Sequence, residues 1–325
     1  MLLSIIIPAY NAESYLSRCI ASIYNQDLIT SDFEILLIEN NSQDSTLECA
    51  QTLQKQYAKL SILQQKTQGV SASRNMGIRQ AQGKFLLFVD ADDYLLPHTL
   101  KNALRLADTQ NLDLLYFAHQ RNKGYILPTE QLRTLPRPKT GTEIYDLLPY
   151  TSSACTFLFN RSFLAHQAIY FNESIHIGED ALFVCQSLLY AQNVNIDPHC
   201  IYFYELNAHS STAIVSKEKI FNQCENLSIL LAWNLKAEGK NRELIQNLIA
   251  LTLFQMLEQT AQIKRCTIYP QLRKKLKTIK AYPLQLDSLS RIPKGFHWYL
   301  QSIDLMFLYI CIWRFYLHYI KPIWK

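Results

Sequence analysis

The first third of the chain alternates continuous apolar runs with longer amphipathic stretches. Residues 3–8 form an apolar run, and residues 13–26 follow with Leu16, Ile20 and Ile23 on one helical stripe. The same alternation predicts strands at residues 33–38, 61–64, 85–89 and 112–117, and helices at residues 46–57, 71–82 and 97–107. Apolar strands separated by helices indicate βαβ units. The pattern therefore predicts an α/β fold with a mostly parallel sheet covered on both faces.

Polar clusters directly follow three of these strands. Residues 9–11 follow the first strand, residues 39–42 the second, and residues 90–93 the strand at 85–89. Ligands of open parallel sheets bind beyond the carboxyl ends of the strands, so we expect the three loops to line one crevice.

The pattern changes along the rest of the chain. Residues 120–150 contain two glycines and four prolines, which indicates an irregular connection or a lid. Residues 220–237 and 242–260 lack both Gly and Pro and read as long helices. We therefore predict a catalytic domain over residues 1–215 and a helical, basic and aromatic region over residues 216–325.

Composition adds a charge asymmetry. With 325 residues and 49% apolar content, the chain can bury a sizeable core. Residues 264–325 hold 12 of the 32 Lys and Arg but only Asp287 and Asp304 of the 27 acids, which leaves 20 basic and 25 acidic residues before them. The tail, at +10, therefore suits an anionic surface. The eight cysteines are scattered singly along the chain, which predicts that they are reduced thiols in the core.

The glycines exclude two common nucleotide-binding loops. None of the eight fits G-x-G-x-x-G or G-x-x-x-x-G-K-[ST], which disfavours dinucleotide oxidoreductases and P-loop NTPases. A divalent cation held by carboxylates is another means of binding a diphosphate. Asp90 and Asp92 can face the same way from an extended segment, with Ala91 leaving room, and their oxygens suit Mg²⁺ or Mn²⁺. Alternatively, the acids cap the next helix, with Asp93 and Pro97.

Four stretches then occur in order along the chain. They read Pro8-Ala9-Tyr10-Asn11, Ile38-Glu39-Asn40-Asn41-Ser42, Gly69-Val70-Ser71-Ala72-Ser73-Arg74-Asn75-Met76-Gly77 and Asp90-Ala91-Asp92. From residue 3 to about residue 210 the chain resembles the family 2 glycosyltransferases of bacterial cell-surface polysaccharide and lipopolysaccharide synthesis. The resemblance implies a GT-A fold, which is Rossmann-like, here followed by a C-terminal helical extension.

The resemblance also implies roles for these residues on the nucleotide-sugar donor. Pro8, Tyr10 and Asn11 would line the nucleoside pocket, Asp90 would hold the ribose beside Ala91, and Asp92 would bind the metal. Arg74 would lie near the base or the phosphates, although a salt bridge on a helix surface is the alternative.

Two positions depart from the family pattern. Glu39 replaces the usual Asp that binds a uracil-type base and reaches one methylene further, and Ser73 replaces the usual alanine. Asn41 tolerates positive φ, which would preserve the turn. A UDP-sugar remains the favoured donor.

A second acidic motif lies at residues 176–183, which resembles the family's E-D-x-x-F segment. The resemblance implies that Asp180 is the general base, that Glu179 lies on the acceptor side, and that one displacement inverts the anomeric configuration. Alternatively, both acids favour the dipole of a first helical turn. His209 stands after an aromatic stretch where the family's usual arginine is missing, and we name it as a metal ligand beside Asp92. A lone histidine is more often a loop or core residue.

The tail bears on location. The N-terminus shows no signal-peptide pattern, so we expect a cytoplasmic protein. Residues 296–325 are rich in aromatics but contain no span of about 18 uninterrupted apolar residues. With the basic cluster at 273–277, the tail either attaches peripherally to the anionic inner face of the cytoplasmic membrane or packs on the catalytic domain.

The sequence thus predicts an inverting glycosyltransferase that uses Mn²⁺ or Mg²⁺ and a glycan or lipid-linked acceptor. One alternative is a sugar nucleotidyltransferase, which would have a Gly-rich basic loop after the first strand. The other is a non-catalytic nucleic-acid or membrane-binding protein on a relic domain, in which the acids of both motifs would not be needed. We expect no nucleic-acid partner.

Overall fold

A computed structural model describes six stretches of the chain: residues 1–121, 125–126, 132–148, 153–205, 215–263 and 268–281. The chain divides into two compact units. The first contains Met1–Ser174 and Glu179–Asn207, and the second contains Ile175–Gly178 and Ala208–Lys325.

The first unit is an α/β structure built around one sheet. Its strands among the described residues are β1 (Leu3–Ala9), β2 (Phe33–Glu39), β3 (Leu60–Gln64), β4 (Phe85–Phe88), β5 (Tyr94–Leu95), β6 (Leu114–Arg121), β7 (Tyr125–Ile126), β8 (Phe157–Asn160) and β9 (Val194–Tyr204). Its helices there are α1 (Leu16–Tyr24), α2 (Thr46–Gln56), α3 (Val70–Gln80), α4 (Leu100–Thr109), α5 (Gly141–Tyr145), α6 (Arg161–His166) and α7 (Glu179–Tyr190), and one 3₁₀ turn covers Ala154–Thr156.

The strand order is β3-β2-β1-β4-β8-β6-β9-β5, with β7 on β6. The pairs β3–β2, β2–β1, β1–β4 and β6–β9 are parallel, whereas β8 runs antiparallel to both neighbours and β5 runs antiparallel to β9. Strand β1 is almost fully buried because both faces of the sheet are covered. The predicted α/β class with a mostly parallel sheet is confirmed.

The start of α4 differs from the prediction. The helix begins at Leu100, not at Pro97, because His98 adopts a φ of 60° that interrupts helical geometry. The buried side chain of Gln26 caps it instead, since Gln26 Oε1 accepts hydrogen bonds from the backbone N–H groups of Thr99 (3.2 Å) and Leu100 (3.1 Å). The alternative in which the acidic cluster caps this helix, with Asp93 and Pro97, is therefore wrong.

The irregular connection predicted for residues 120–150 contains regular pieces. Strand β7 extends the sheet, and α5 forms one helical turn that a capping box between Thr140 and Glu143 stabilises. A five-residue helix is too short to give a hydrophobic period, which explains why the pattern missed it.

The second unit is helical in its described part. Its helices there are α8 (Lys217–Asn234), α9 (Gly239–Gln262) and α10 (Ile268–Thr278), and α8 packs on both others. Asn222 Oδ1 accepts hydrogen bonds from the backbone N–H groups of His176 and Ile177, which holds that short segment on α8. Over the described residues, no helix has the length and apolarity that crossing a bilayer requires.

Candidate active site

The turn after β4 carries three carboxylates in different surroundings. Asp93 N donates to Asp90 O at 3.0 Å and closes the turn. The Asp93 side chain is 1% exposed and accepts hydrogen bonds from the Tyr202 hydroxyl and from Glu205 N, the latter at 2.8 Å. Burial and the neighbouring charges of Asp90 and Asp92 raise the pKa of Asp93 to about 8. Asp93 therefore belongs to the framework of the turn, whereas Asp90 and Asp92 are half-buried.

Arg74, on α3, connects this turn to the second acidic motif. Its Nη2 lies 2.9 Å from Asp90 Oδ1, and its Nη1 lies 2.5 Å from Asp180 Oδ1 and 3.4 Å from Glu179 Oε1. The side chain is 3% exposed and its guanidinium carbon lies 5.2 Å from the centre of the Phe171 ring. The alternative of a salt bridge on a helix surface is therefore wrong, because Arg74 is a buried cation shared by three carboxylates.

Neighbouring charges and burial shift the pKa of Arg74 in opposite directions. Burial alone would lower its pKa, but the carboxylates of Asp180, Asp90 and Glu179 keep the pKa well above its usual value. Its Nε is buried without a hydrogen-bond partner among the described residues. The guanidinium therefore stays charged and is held by its two terminal nitrogens.

The second acidic motif begins α7. Asp180 Oδ2 accepts a hydrogen bond from Ala154 N at 3.2 Å, so both carboxylate oxygens are oriented. Burial raises the pKa of Asp180 above its ordinary value, although the Arg74 cation opposes this shift. Burial, and then the charge of Asp180, raise the pKa of Glu179 to about 7. Raised pKa values strengthen carboxylates as bases near neutral pH, which general base catalysis requires.

The loops after β1 and β2 are bonded to each other. Asn11 Oδ1 accepts from Gln43 N at 2.9 Å, and Asn11 N donates to Ser42 Oγ at 3.2 Å. Glu39 Oε1 accepts from Ser42 N at 2.6 Å, and Asn41 has the positive φ that the sequence predicts for this turn. Pro8 lies near the carboxyl end of β1.

Tyr10 and Ala91 complete the set of sequence-predicted donor residues. The Tyr10 side chain is 45% exposed, as an aromatic that stacks on a ligand requires. Ala91 is buried within the turn. The donor-binding roles of these residues remain predictions.

Sequence reasoning missed three side-chain or main-chain partners of the site. Tyr202 and Glu205, at the end of β9, hold Asp93, and Ala154 holds Asp180 from the 3₁₀ turn. No local pattern marks these residues, since each acts on an acid that is distant in sequence.

The residues of the acidic turn suit a divalent cation that is also bound by the phosphates of a ligand. Across the described stretches, no three His, Cys, Asp or Glu side chains form a group that could enclose a metal ion. Mg²⁺ is commonly held by one or two carboxylates together with substrate phosphates, and the half-buried Asp92 would be one hard oxygen ligand of this kind. His209, the other predicted ligand, lies outside the described residues.

Two of the described cysteines lie beside the acidic turn as protonated thiols. The six described cysteines are free; four of them are buried in the core as predicted, whereas Cys49 and Cys200 are half-buried, and Cys266 and Cys311 lie outside the described residues. Burial raises the pKa of the Cys19 and Cys155 thiols beside the acidic turn, so both stay protonated near neutral pH.

The fold and the order of the loops define the GT-A class of α/β proteins. The sequence model of glycosyl transferase family 2 matches residues 4–167, and the chain belongs to this family. Poly(ribitol-phosphate) beta-N-acetylglucosaminyltransferase TarS of Staphylococcus aureus (strain Mu50 / ATCC 700699) is 31% identical over 226 residues, which are 68% of this chain and 39% of TarS.

Two further proteins are similar to this chain. The uncharacterized glycosyltransferase EpsJ of Bacillus subtilis (strain 168) is 29% identical over 66% of this chain and 64% of EpsJ. The crystal structure of S. aureus TarS 1-349 in complex with UDP-GlcNAc has a TM-score of 0.77 at 24% identity, over 98% of this chain and 92% of that chain. This likeness shows the fold. The chain spans less than two thirds of the length of either curated relative.

Proposed function

We propose that this chain transfers a sugar from a UDP-sugar to a hydroxyl of a growing surface glycan, by one displacement that inverts the anomeric configuration. The observation that carries the proposal is the position of Arg74 between Asp90 of the first acidic motif and Asp180 of the second. An enzyme that joins a donor to an acceptor needs both motifs at one place, and this cation joins them.

The donor side rests on the loops at the carboxyl ends of β1, β2 and β4. Pro8, Tyr10, Asn11 and Glu39 are the proposed nucleoside contacts, and the relative TarS has been crystallised in complex with UDP-GlcNAc. Asp90, beside Ala91, is the proposed ribose contact. Arg74 Nη2 donates to its Oδ1, and we propose its other carboxylate oxygen as the atom that contacts the ribose.

The metal assignment follows from the chemistry of Asp92. We propose that Asp92, together with His209, binds Mn²⁺ or Mg²⁺ at the donor diphosphate. Such a cation would neutralise the charge that develops on the departing diphosphate.

The reacting side rests on Asp180. The acceptor hydroxyl oxygen forms a bond to the anomeric carbon, the bond from that carbon to the diphosphate oxygen breaks, and the hydroxyl proton passes to Asp180. Arg74 and the backbone N–H of Ala154 orient the Asp180 carboxylate, and Glu179 lies beside it on the acceptor side. Positioned bases of this kind accelerate reactions by roughly 10²–10⁴-fold.

The acceptor class is proposed from the relatives. TarS is named for transfer to poly(ribitol-phosphate), a polymer with free hydroxyl groups. A hydroxylated surface polymer or its lipid-linked precursor is therefore the acceptor that we propose for this chain.

The deciding experiment incubates the full chain with a panel of nucleotide-sugars and Mn²⁺, and measures the nucleoside diphosphate released when an acceptor is present. We expect acceptor-dependent release from a UDP-sugar, and NMR of the product should show the opposite anomer to the donor. Release from no donor would reject the transfer activity, while retention of configuration would reject only the single displacement.

We also propose that the C-terminal region attaches the protein to the inner face of the cytoplasmic membrane. On α10, Leu272 and Leu276 are buried while Lys274 and Lys277 are exposed, so this face presents positive charge. The aromatic tail at 296–325 lies outside the described residues. Packing of the tail on the catalytic domain remains the alternative.

Vesicle flotation tests this attachment. The full chain should float with vesicles that contain anionic lipid and remain below with zwitterionic ones. The charge reversal Lys274→Glu with Lys277→Glu should weaken flotation, because each basic residue near such a surface contributes about 1 kcal/mol. Salt-dependent binding to an oligonucleotide with no binding to vesicles would favour the nucleic-acid alternative instead.

A further inference from the structure

Helix α1 places a second arginine against the acidic turn. Arg18 Nη2 donates to the main-chain oxygen of Asp92 at 3.0 Å, and Arg18 Nη1 lies 2.8 Å from Glu205 Oε2. The guanidinium carbon also lies 4.7 Å from the centre of the Tyr94 ring, which stacks on Phe203 at 4.5 Å with an interplanar angle of 16°. Arg18 is 46% exposed, yet three neighbours fix its direction.

The end of β9 holds the same turn from another side. Glu205, the partner of Arg18, donates its backbone N–H to Asp93 Oδ1, and the Tyr202 hydroxyl oxygen accepts from Asp90 N at 3.2 Å. The turn is therefore fixed at the backbone of Asp90, the side chain of Asp93 and the carbonyl of Asp92. Of these three anchors, the contact from Arg18 acts directly on the peptide group of the proposed metal ligand.

We infer that Arg18 is a positioning residue for the divalent cation. By holding the Asp92 carbonyl and the Glu205 carboxylate together, it fixes the peptide plane after Asp92 and thus the direction of the Asp92 side chain. This inference rests on the proposed function, because the cation is bound together with a nucleoside diphosphate. Groups that orient metal ligands commonly change metal affinity by about 10–100-fold.

The direction of the change in metal affinity distinguishes an orienting role of Arg18 from a purely electrostatic one. A guanidinium close to a cation site repels the cation. If Arg18 acted only through its charge, its removal would therefore strengthen metal binding. If Glu205 acted only through its negative charge, its removal would weaken metal binding. Orientation predicts weaker binding after either removal, since both residues hold the same contact.

The experiment titrates the full chain with Mn²⁺ in the presence of UDP and measures free Mn²⁺ by electron paramagnetic resonance. Arg18→Ala should weaken UDP-dependent Mn²⁺ binding by about tenfold. Glu205→Gln should weaken it less, and the double variant should match Arg18→Ala, because the two residues act through one contact. Tighter binding by Arg18→Ala, with near wild-type binding by the double variant, would overturn the inference.

Two controls make the outcome specific. Lys84→Ala removes another exposed ion pair, with Asp108 at 2.6 Å, and should leave Mn²⁺ binding unchanged. Arg18→Lys keeps the charge but carries its donors on one nitrogen, so it cannot reproduce both contacts of the guanidinium and should give an intermediate affinity. It also provides a measurement if the alanine variant misfolds. Wild-type-like Mn²⁺ binding by Arg18→Ala would overturn this inference alone, whereas no UDP-dependent Mn²⁺ binding by the wild type would overturn the metal assignment as well.

Discussion

Arg74 Nη1 and Asp180 Oδ1 lie 2.5 Å apart, although 106 positions separate the two residues in the sequence. The same guanidinium also binds Asp90, so one buried cation balances acids from both motifs. Its pairing orients the proposed base and simultaneously allows two acidic segments to approach each other. Substitution of the cation, or of the acids around it, should therefore change stability and activity in ways that can be separated.

Arg74→Ala should strongly destabilise the fold at pH 7, because it leaves buried carboxylates without their cation. Breaking a buried ion pair from one side costs about 3–5 kcal/mol. The deficit in the free energy of unfolding should shrink towards pH 4, because burial raises the pKa of Asp180 and of Glu179 and these carboxyls lose their charge as the pH falls. Urea denaturation followed by circular dichroism at both pH values measures this.

The control for this prediction is Arg79→Ala, on the exposed side of the same helix. It should change the free energy of unfolding by no more than about 0.5 kcal/mol. Equal deficits for Arg74→Ala at the two pH values would contradict the electrostatic explanation.

Glu179→Gln should stabilise the protein at pH 8 but not at pH 4. The folded pKa of Glu179 is raised to about 7 from an ordinary value of 4.5, chiefly by burial. Between these values the native state retains a proton that the unfolded state releases, so stability falls as pH rises through this window. The amide cannot ionise and escapes that loss. Denaturation midpoints at pH 4 and pH 8 provide the test.

Glu48→Gln serves as the matched control, because Glu48 is an exposed acid in the first turn of α2. Its effect on stability should be small and similar at both pH values. If Glu179→Gln behaves in the same way, Glu179 is not held in its neutral form by burial.

Asp180→Asn should slow transfer by about 10²–10⁴-fold, because an amide cannot accept the acceptor proton. Binding of UDP should change little, since the proposed nucleoside contacts lie on other loops. Steady-state kinetics together with calorimetric titration of UDP separates the two quantities. Glu179→Gln should retain far more activity, and a larger loss there than in Asp180→Asn would transfer the base role to Glu179.

Asp92→Asn should abolish turnover, because the proposed cation loses its carboxylate ligand. The free energy of unfolding should stay close to that of the wild type, since Asp92 is half-buried and its neighbour Asp93 holds the turn. Activity is measured by nucleoside diphosphate release with excess Mn²⁺. Asp27→Asn, an exposed change of the same chemistry, should remain fully active, and an active Asp92→Asn variant would refute the metal assignment.

Much of the fold can be predicted from local patterns. The apolar pattern predicts β2 at residues 33–38, and the strand is observed at Phe33–Glu39; it predicts α2 at 46–57, and the helix is observed at Thr46–Gln56. Each of these elements has a single hydrophobic period along its length, and the sequence marks where it begins and ends. The antiparallel strand β8 has only four residues, and the pattern does not separate it from its surroundings.

The candidate site is predictable only in part. The motifs name Asp90, Asp92 and Asp180, and the topology of a parallel sheet explains why the loop that carries the first two meets the loops after β1 and β2. The local sequence does not show that Asp93 is buried and bonded to Tyr202, whereas its neighbour Asp92 is half-buried.

The sequence by itself determined the alternation of strands and helices in the first third of the chain, the loops that bear polar groups and the family to which the chain belongs, because periodicity and motif spacing are local properties. Tertiary structure alone decided which charges meet: Arg74 with Asp180, and Arg18 with Glu205 and the Asp92 carbonyl. Those pairings depend on how distant helices pack against the sheet. Burial then raises the pKa of Asp180, and burial is a property of the assembled fold.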